Sequence, residues 1–584
     1  MSARPTARAA IPELTIRAVL SGMVLGAVLT PCNVYSGLKI GWAFNMSVAA
    51  GLLAFALWRA CERVGGARHW GLLENNINQT AASSAAAIIS SGLAAPIPAL
   101  ALLTGKELPW SYLSLWLLAV SLLGVIVAAG LRNQMLERQN LVFPSGVATA
   151  ETIRQIHDGG EEAAQRLKVL FSAIGMAAAL KLFNSWVLAL PRLAAPFKLP
   201  GGATLGNLGF ALDPSLLMVG FGAIAGMRAS LSALLGAVLA WGVLGPFALE
   251  FGWAEAGAAG PDISWFGPLV EWLLWPGATL MVVAALTSFF GLIVKARAAR
   301  KRQADQSVQL PPVMRRSVYL VALAFILVLA SSAQVGLFGI GVLEAALAVV
   351  LSFGLAVVAG WVSGQTGITP VGALGKITQL SFGLISPGNV TANLMSANVT
   401  GGAAGQCADM LHDLRTGQLI GATPRFQVVA QTFGVLTGSL AGAAAYLLII
   451  PNPKDMLITP EWPAPAVATW KAVAEALGGG LSAMPGGAVE AMFVAALAGI
   501  ALAMLETFAS DRVARLTPSA TAMGLGFVIP AWNSVSLLLG AAGAALIIRL
   551  APEWARTKLV VLAAGLIVGE SLAGVVSALS SLVK

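Results

Sequence analysis

The residues best able to do chemistry in this chain are polar groups set inside strongly apolar stretches. Asn33, Tyr35 and Lys39 lie together in the run Asn33-Val34-Tyr35-Ser36-Gly37-Leu38-Lys39-Ile40-Gly41-Trp42. A polar or ionic group left unpaired in hydrocarbon costs several kcal/mol, so such a run is retained only where protein buries it or water reaches it. Lys39 could hold a carboxylate of a ligand or an acidic partner, or could simply extend its ammonium to an interface. Asn76 and Gln79, three residues apart, share a helix face and offer neutral donors and acceptors suited to a peptide amide or a chelate. Asn389 and Asn393 stand at i and i+4, with Asn398 beyond them, and Asp409 and Asp413 repeat that spacing. Asp409 is a candidate proton carrier, as are Glu74, which opens the Asn-rich segment, and Glu151, which follows Phe143-Pro144-Ser145-Gly146. Glu74 and Glu490 also fit as caps favoured by a helix N-terminus, and Asp413 is expected to pair with Arg415 or Arg425.

The elements that position these groups must be membrane helices. The 584 residues are 57% hydrophobic and 10% charged, with a mean hydropathy of +0.82, whereas a soluble domain is about a quarter charged. At about 20 apolar residues per crossing, the chain reads as an all-α polytopic membrane protein with roughly 14–16 transmembrane helices, some short, re-entrant or discontinuous. Within the first half the spans fall near 14–31, 42–58, 77–103, 110–131, 168–190, 213–228, 230–250 and 268–293. Pro144 is expected to open a short re-entrant helix with Glu151 near its tip.

Basic residues gather in short loops, above all at Lys295, Arg297, Arg300, Lys301, Arg302, Arg315 and Arg316. The positive-inside rule places those loops in the cytoplasm, so the +9 net charge is a topology signal and no nucleic-acid partner is implied. Arg4, Arg8 and Arg17 precede an apolar run without a cleavage site, which argues against a signal peptide. Three domains result: a repeat over 1–293, a basic cytoplasmic linker over 294–316 and a second repeat over 317–584. The repeat is visible in the sequence. Pro214-Ser215 and Pro518-Ser519 begin segments with ten identities in 24 ungapped positions at an offset of 304, including Gly222/Gly526 and Gly236/Gly540. Repeated units around a midplane site are the usual plan of secondary transporters. An even number of spans per half makes the repeats parallel, with both termini cytoplasmic, but Arg512, Arg515, Arg556 and Lys558 do not fall cleanly on one side in that arrangement, which leaves the side of the C-terminus open.

Several chemistries are disfavoured. HExxH, GxSxG and P-loop motifs are missing, so the chain reads as a non-enzyme that draws on an ion gradient rather than ATP. Cys32, Cys61 and Cys407 are isolated packing residues. Asp409, His412 and Asp413 have a spacing that could converge on an ion, but only three histidines exist in the chain, and no metal site is expected. A channel and an intramembrane enzyme remain as alternatives.

The motifs around Pro12–Trp42, Asn76 with Gln79-Thr80-Ala81-Ala82-Ser83, Phe143–Ala150, and Asp413-Leu414-Arg415-Thr416-Gly417 with Pro424-Arg425 resemble the oligopeptide transporter (OPT) superfamily, including its yellow-stripe-like branch. The resemblance implies about sixteen helices and proton-coupled uptake of short peptides or metal complexes of amino-acid-derived chelators. The chain looks like a bacterial member, multi-pass in the cytoplasmic membrane and in contact with its lipids, using a proton gradient and no cofactor. It lacks the acidic N-terminal extension of the plant type. Substrate contacts are expected from Asn33, Tyr35, Lys39, Asn76, Gln79, Asn389, Asn393 and Asn398. Association of two copies through lipid-facing helices is compatible with such a surface.

Overall fold

A computed structural model describes residues 12–583 except 42, 195–196, 198–202, 259, 261–262, 301–312, 368 and 480–483. Arg4, Arg8, Trp42, Lys301, Arg302 and Pro311-Pro312 therefore lie outside the described residues, as do the side chains of Lys295, Arg297 and Arg300. The first helices are α1 (Ile16–Ile40), α2 (Ser47–Gly65), α3 (Leu72–Ala86), α4 (Pro96–Thr104), α5 (Trp110–Arg132), α6 (Pro144–His157) and α7 (Glu161–Trp186). Next come α8 (Leu216–Ala237), α9 (Gly245–Glu250), α10 (Phe266–Arg300), α11 (Arg316–Phe338), α12 (Val342–Thr366), α13 (Val371–Ile385), α14 (Val390–Ile420) and α15 (Pro424–Ile449). The last are α16 (Pro453–Met456), α17 (Pro465–Gly479), α18 (Ala488–Phe508), α19 (Asp511–Leu516), α20 (Ala520–Val528), α21 (Ala531–Leu550) and α22 (Pro552–Val583). One two-residue strand pair, β1 (Leu193–Ala194) with β2 (Ala211–Leu212), is the sole sheet among the described residues.

The chain is an all-α polytopic membrane protein. Among the described residues, twelve helices are long and apolar enough to cross a bilayer. Part of the gap from the expected 14–16 has a physical cause. α14 has 31 residues, ample length to cross, but its Asn, Gln, Asp and Gly content removes it from an apolar count. It is buried over nearly its whole length, so protein rather than lipid surrounds it.

Two boundaries differ from the sequence reading. The polar insert at 33–41 does not break α1, which continues through Ile40 and stops where Gly41 takes a left-handed conformation (φ 81°) and donates to Gly37 O. The spans expected at 213–228 and 230–250 are one interrupted element. Gly226, at φ 80° and ψ 173°, breaks α8, and the ten residues 216–225 cover only about 15 Å. This first arm cannot cross alone.

The packing sorts the helices into two groups. In the first, α14 is surrounded by α5, α6, α12 and α13, while α3 packs on α1 and α15. In the second, α22 packs on α7 and α8, α10 on α18 and α20, and α21 on α8. The segments matched at offset 304 meet reciprocally. A Cβ on Gly222 would lie 1.9 Å from Leu537 O and one on Gly526 2.2 Å from Ala233 O; Gly236 faces Met523 O at 2.0 Å, and Gly540 faces Val219 O at 2.0 Å. Each contact becomes its partner when 304 is added to one residue number and subtracted from the other. Ser215 and Ser519 are equivalent caps, accepting from Met218 N and Ala522 N. A related correspondence joins the first group, where Gly434 approaches Ala81 O and Gly124 approaches Ala403 O. Its offsets are 322 for α3/α14 (403 − 81) and 310 for α5/α15 (434 − 124).

With backbone at these distances, Gly222→Ala and Gly526→Ala are each expected to destabilise by about 1–3 kcal/mol or more. Gly543, which faces open space, is the control. Thermal unfolding in detergent should show the two losses of similar size and Gly543→Ala near wild type; three equal results would contradict the packing.

The basic ends converge on one face. Arg17 Nη1 donates to Arg68 O at 2.7 Å, Gln418 Nε2 to Glu137 Oε1 at 3.2 Å, and Lys558 Nζ to Gln165 Oε1 at 2.7 Å. Thr423 N donates to Glu13. The starts of α1, α7 and α22 thus share an end with the finish of α5 and α14. α22 runs 32 residues away from it, so residue 583 lies at the opposite end from the start of α1. This packing bears on the side of the C-terminus, which the charge pattern of the second half leaves open.

Candidate functional site

The two groups meet around a cavity of about 90 Å³, lined by α1, α7, α8, α21, α22 and the turn before α17. It has room for several waters. Five ionisable side chains reach it: Lys39, Lys181, Arg192, Asp213 and Glu570.

Lys39, in the last turn of α1, has its Nζ 5.2 Å from the Trp462 ring centre and 5.7 Å from that of Tyr35. The two rings meet edge to face at 5.2 Å. Tyr35 is buried against α22, where a Cβ on Gly574 would lie 2.4 Å from its ring. Lys39 thus rests on aromatic faces, a favourable place for a cation, and neither it nor Lys181 forms an ion pair among the described residues. Arg192 Nε donates to Asp213 Oδ1 at 2.8 Å, and its guanidinium lies 4.0 Å over Trp532. Glu570 is 7% exposed. It accepts from Ser215 Oγ at 2.8 Å and Leu217 N at 2.7 Å, closing the open N–H groups of the first arm of α8. Two lysines with no ion pair among the described residues thus face anchored carboxylates, a pattern that can hold a molecule carrying both a carboxylate and an amine.

The remaining sequence candidates fall elsewhere. Asn33 is fully buried and joins three segments, donating to Phe44 O at 3.1 Å and Ala86 O at 2.9 Å and accepting from Phe44 N. Asn76 Nδ2 donates to Gln79 Oε1 at 3.2 Å, and Gln79 Nε2 to Asp413 Oδ1 at 2.7 Å. The expected pairing of Asp413 with Arg415 or Arg425 is not found. Arg415 donates to Gln418 Oε1 at 2.7 Å and Arg425 lies over the Phe426 ring, because Asp413 faces α3 from inside the first group. Asn389 is exposed and caps α14. Asn393 Nδ2 donates to Gln379 O at 2.6 Å, and Asn398 Oδ1 accepts from Trp116 Nε1 at 2.7 Å. Glu74 is ion-paired with Arg17, whose Nε donates to Oε1 at 2.8 Å. Glu151 is exposed and mid-helix in α6 rather than at its tip, accepting from Gln155. Asp409 is half-buried and makes no hydrogen bond among the described residues.

Some groups escaped the sequence reading. Lys376 is 3% exposed, donates to Gln379 Oε1 at 2.9 Å and lies 4.3 Å over the Trp470 ring. A lone lysine within the apolar run 371–385 was the available signal. Lys181, Arg192 and Asp213 lie near the ends of apolar runs, where charge is ordinary, and only the fold gathers them.

The comparisons agree with this architecture. The profile of the OPT oligopeptide transporter protein family matches residues 13–581. A candidate oligopeptide transporter of Saccharomyces cerevisiae is 23% identical, covering 98% of this chain and 96% of its own. A candidate metal-nicotianamine transporter of rice, Oryza sativa subsp. japonica, is 24% identical over 98% of this chain and 90% of its own. A candidate oligopeptide transporter of Haemophilus influenzae is 25% identical over 93% and 92%. A multi-pass helical protein with a charged cavity between two helix groups, matched along nearly its full length, this chain belongs to the OPT oligopeptide transporter family and is a transporter rather than an enzyme.

Proposed function

We propose that the chain imports a short peptide or a peptide-like metal chelate across a bacterial cytoplasmic membrane, the two helix groups moving against each other around the cavity while protons run down their gradient. The observation that carries this reading is that Lys39 and Lys181, which form no ion pair among the described residues, share the cavity with the anchored Glu570 and Asp213. A zwitterion would offer its carboxylate to the lysines and its amine to the acids. Charge-assisted hydrogen bonds of this kind are about twice as strong as neutral ones. The interrupted α8 and the α20–α21 pair support alternating access, since discontinuous helices surround the sites of many secondary transporters. The basic end, carrying Arg17, Arg68 and Lys558, would face the cytoplasm.

Uptake by purified protein in liposomes tests this. Labelled tripeptides and a labelled iron or nickel chelate are compared with and without an inward proton gradient. Gradient-dependent accumulation of either class is the expected result. Flux that persists unchanged when a protonophore removes the gradient would mark a channel and sink the proposal.

A further inference from the structure

Among the described buried acids, Glu74 is held by Arg17 and Glu570 caps α8 in the cavity that Lys39 and Lys181 also line, whereas Asp413 has neither a cation nor a helix start beside it. Asp413 is 2% exposed and bonded only by neutral donors. Oδ1 accepts from Gln79 Nε2 at 2.7 Å and from Ser47 Oγ at 3.4 Å, and Oδ2 accepts from Ser83 Oγ at 2.9 Å. The other ionisable groups on the helices packed around it are engaged elsewhere or too exposed to pair with it. On α14, Asp409 lies one turn earlier, and His412 Nε2 contacts Ser363 Oγ at 2.9 Å. On α3, Glu74 is held by Arg17. On α2, Arg59 pairs with Glu62 at 3.1 Å, and Arg63 is exposed at the helix end. On α6, Arg154 donates to Leu419 O and the His157 ring packs on Phe55, while Glu151 is exposed. Arg425 of α15 stacks on Phe426.

An isolated carboxylate away from water is costly unless paired, and taking up a proton removes that cost. The cluster is built for both states. Ser83 Oγ lies 3.3 Å from Thr80 O as well as 2.9 Å from Asp413 Oδ2. With Asp413 ionised, Ser83 donates to Oδ2. With Asp413 protonated, the new O–H donates to Ser83 Oγ, whose own hydrogen turns to Thr80 O. Gln79 Nε2 continues to donate to Oδ1 throughout, and its Oε1 still accepts from Asn76. In this cycle none of these bonded atoms loses its partner, which is what a repeatedly loaded and unloaded site requires.

We propose that Asp413 takes up and releases the coupled proton, with Ser83 as the hydroxyl that reverses its hydrogen bond in each cycle; this rests on the coupled-transport reading above. One proton arrives at Oδ2 and leaves from it, with no other bond made or broken. The site spans the two repeats, with Asp413 on α14 and Gln79 and Ser83 on α3. A shift of α3 against α14 would change which protonation state is favoured.

The test uses the full chain in liposomes and has two readouts. In infrared difference spectra between acidic and alkaline buffer, wild type should show the C=O band of a protonated buried carboxyl. Asp413→Asn should lack it, and Ser83→Ala should move its frequency and midpoint. The band persisting in Asp413→Asn overturns the proposal. In transport of labelled trialanine or, where wild type accumulates only that, the labelled iron chelate, Asp413→Asn should retain exchange at equal pH while losing at least about tenfold in gradient-driven accumulation. Accumulation at the wild-type level, loss of exchange by folded protein, or a sodium gradient replacing the proton gradient would each overturn it. If wild type itself shows no proton-driven accumulation, the transport reading falls, and the infrared band still decides whether Asp413 titrates. Should Asp413→Asn fail to fold, Ser83→Ala decides: an unmoved band overturns the assignment.

Discussion

Lys39→Ala is expected to reduce substrate uptake by upwards of roughly thirtyfold, the equivalent of about 2 kcal/mol or more for truncating one side of a buried charged contact. Lys39 is one of two cavity cations with no ion pair among the described residues, and its ammonium is held by the faces of Tyr35 and Trp462. Removing it would leave a substrate carboxylate facing Glu570 and Asp213 with one cation fewer. Lys39→Arg keeps the charge and the aromatic stacking and should restore part of the activity, although the guanidinium is not interchangeable with an ammonium in a fitted site. Uptake is read at matched protein levels alongside thermal stability. Full activity in Lys39→Ala would remove the cavity from the transport path, and an equal loss in Lys39→Arg and Lys39→Ala would show that shape rather than charge is recognised.

Arg17→Ala is expected to give the largest stability loss outside the glycine contacts, about 3 kcal/mol or more. Arg17 bonds Glu74 and also donates to Arg68 O and His69 O at 2.7 and 2.8 Å. Its guanidinium lies 5.0 Å from the Trp58 ring centre and 5.2 Å from that of Trp70. Truncation strands Glu74, which is 2% exposed, and unties the α2–α3 turn. Glu74→Gln is milder, because Arg17 is 21% exposed and keeps its two backbone acceptors. Unfolding midpoints of both single variants and the double variant decide: Arg17→Ala alone should fall furthest, and the double variant should recover part of the loss. Additive losses would mean that the pair is not coupled.

The sequence shows helices, membrane residence and one repeat because those depend on apolar length and on local identity. The 304 offset holds across α8 and α20–α21, where no insertion intervenes, and the identical glycines are those that bring backbones into contact. The equivalence of α3 with α14 is hidden because its offset is 322, and only Asn76/Asn398 and three alanine pairs match over 76–86. Polar content misled at 33–41, where asparagine and glycine suggested a break: Asn33 instead bonds backbone of neighbouring segments, so the helix survives. Glu570 stands in an otherwise apolar helix, and the helix start that it caps, that of α8, lies more than 350 residues earlier. Spacing along one helix cannot reveal such a partner. Asp413 was assigned an arginine by proximity in sequence, whereas the partners that matter lie on α2 and α3.

Under the proposed alternating access, the two helix groups are expected to move against each other when substrate binds. Spin labels at Val64→Cys on α2, which packs on α3 and α6 of the first group, and Glu553→Cys on α22, both strongly exposed, report the distance between the groups, and Val64→Cys with Leu384→Cys on α13 reports within the first group. Measured with and without the transported substrate, the first distance should shift and the second should hold. Both distances unchanged at saturating substrate, or both changed alike, would contradict movement of one group against the other.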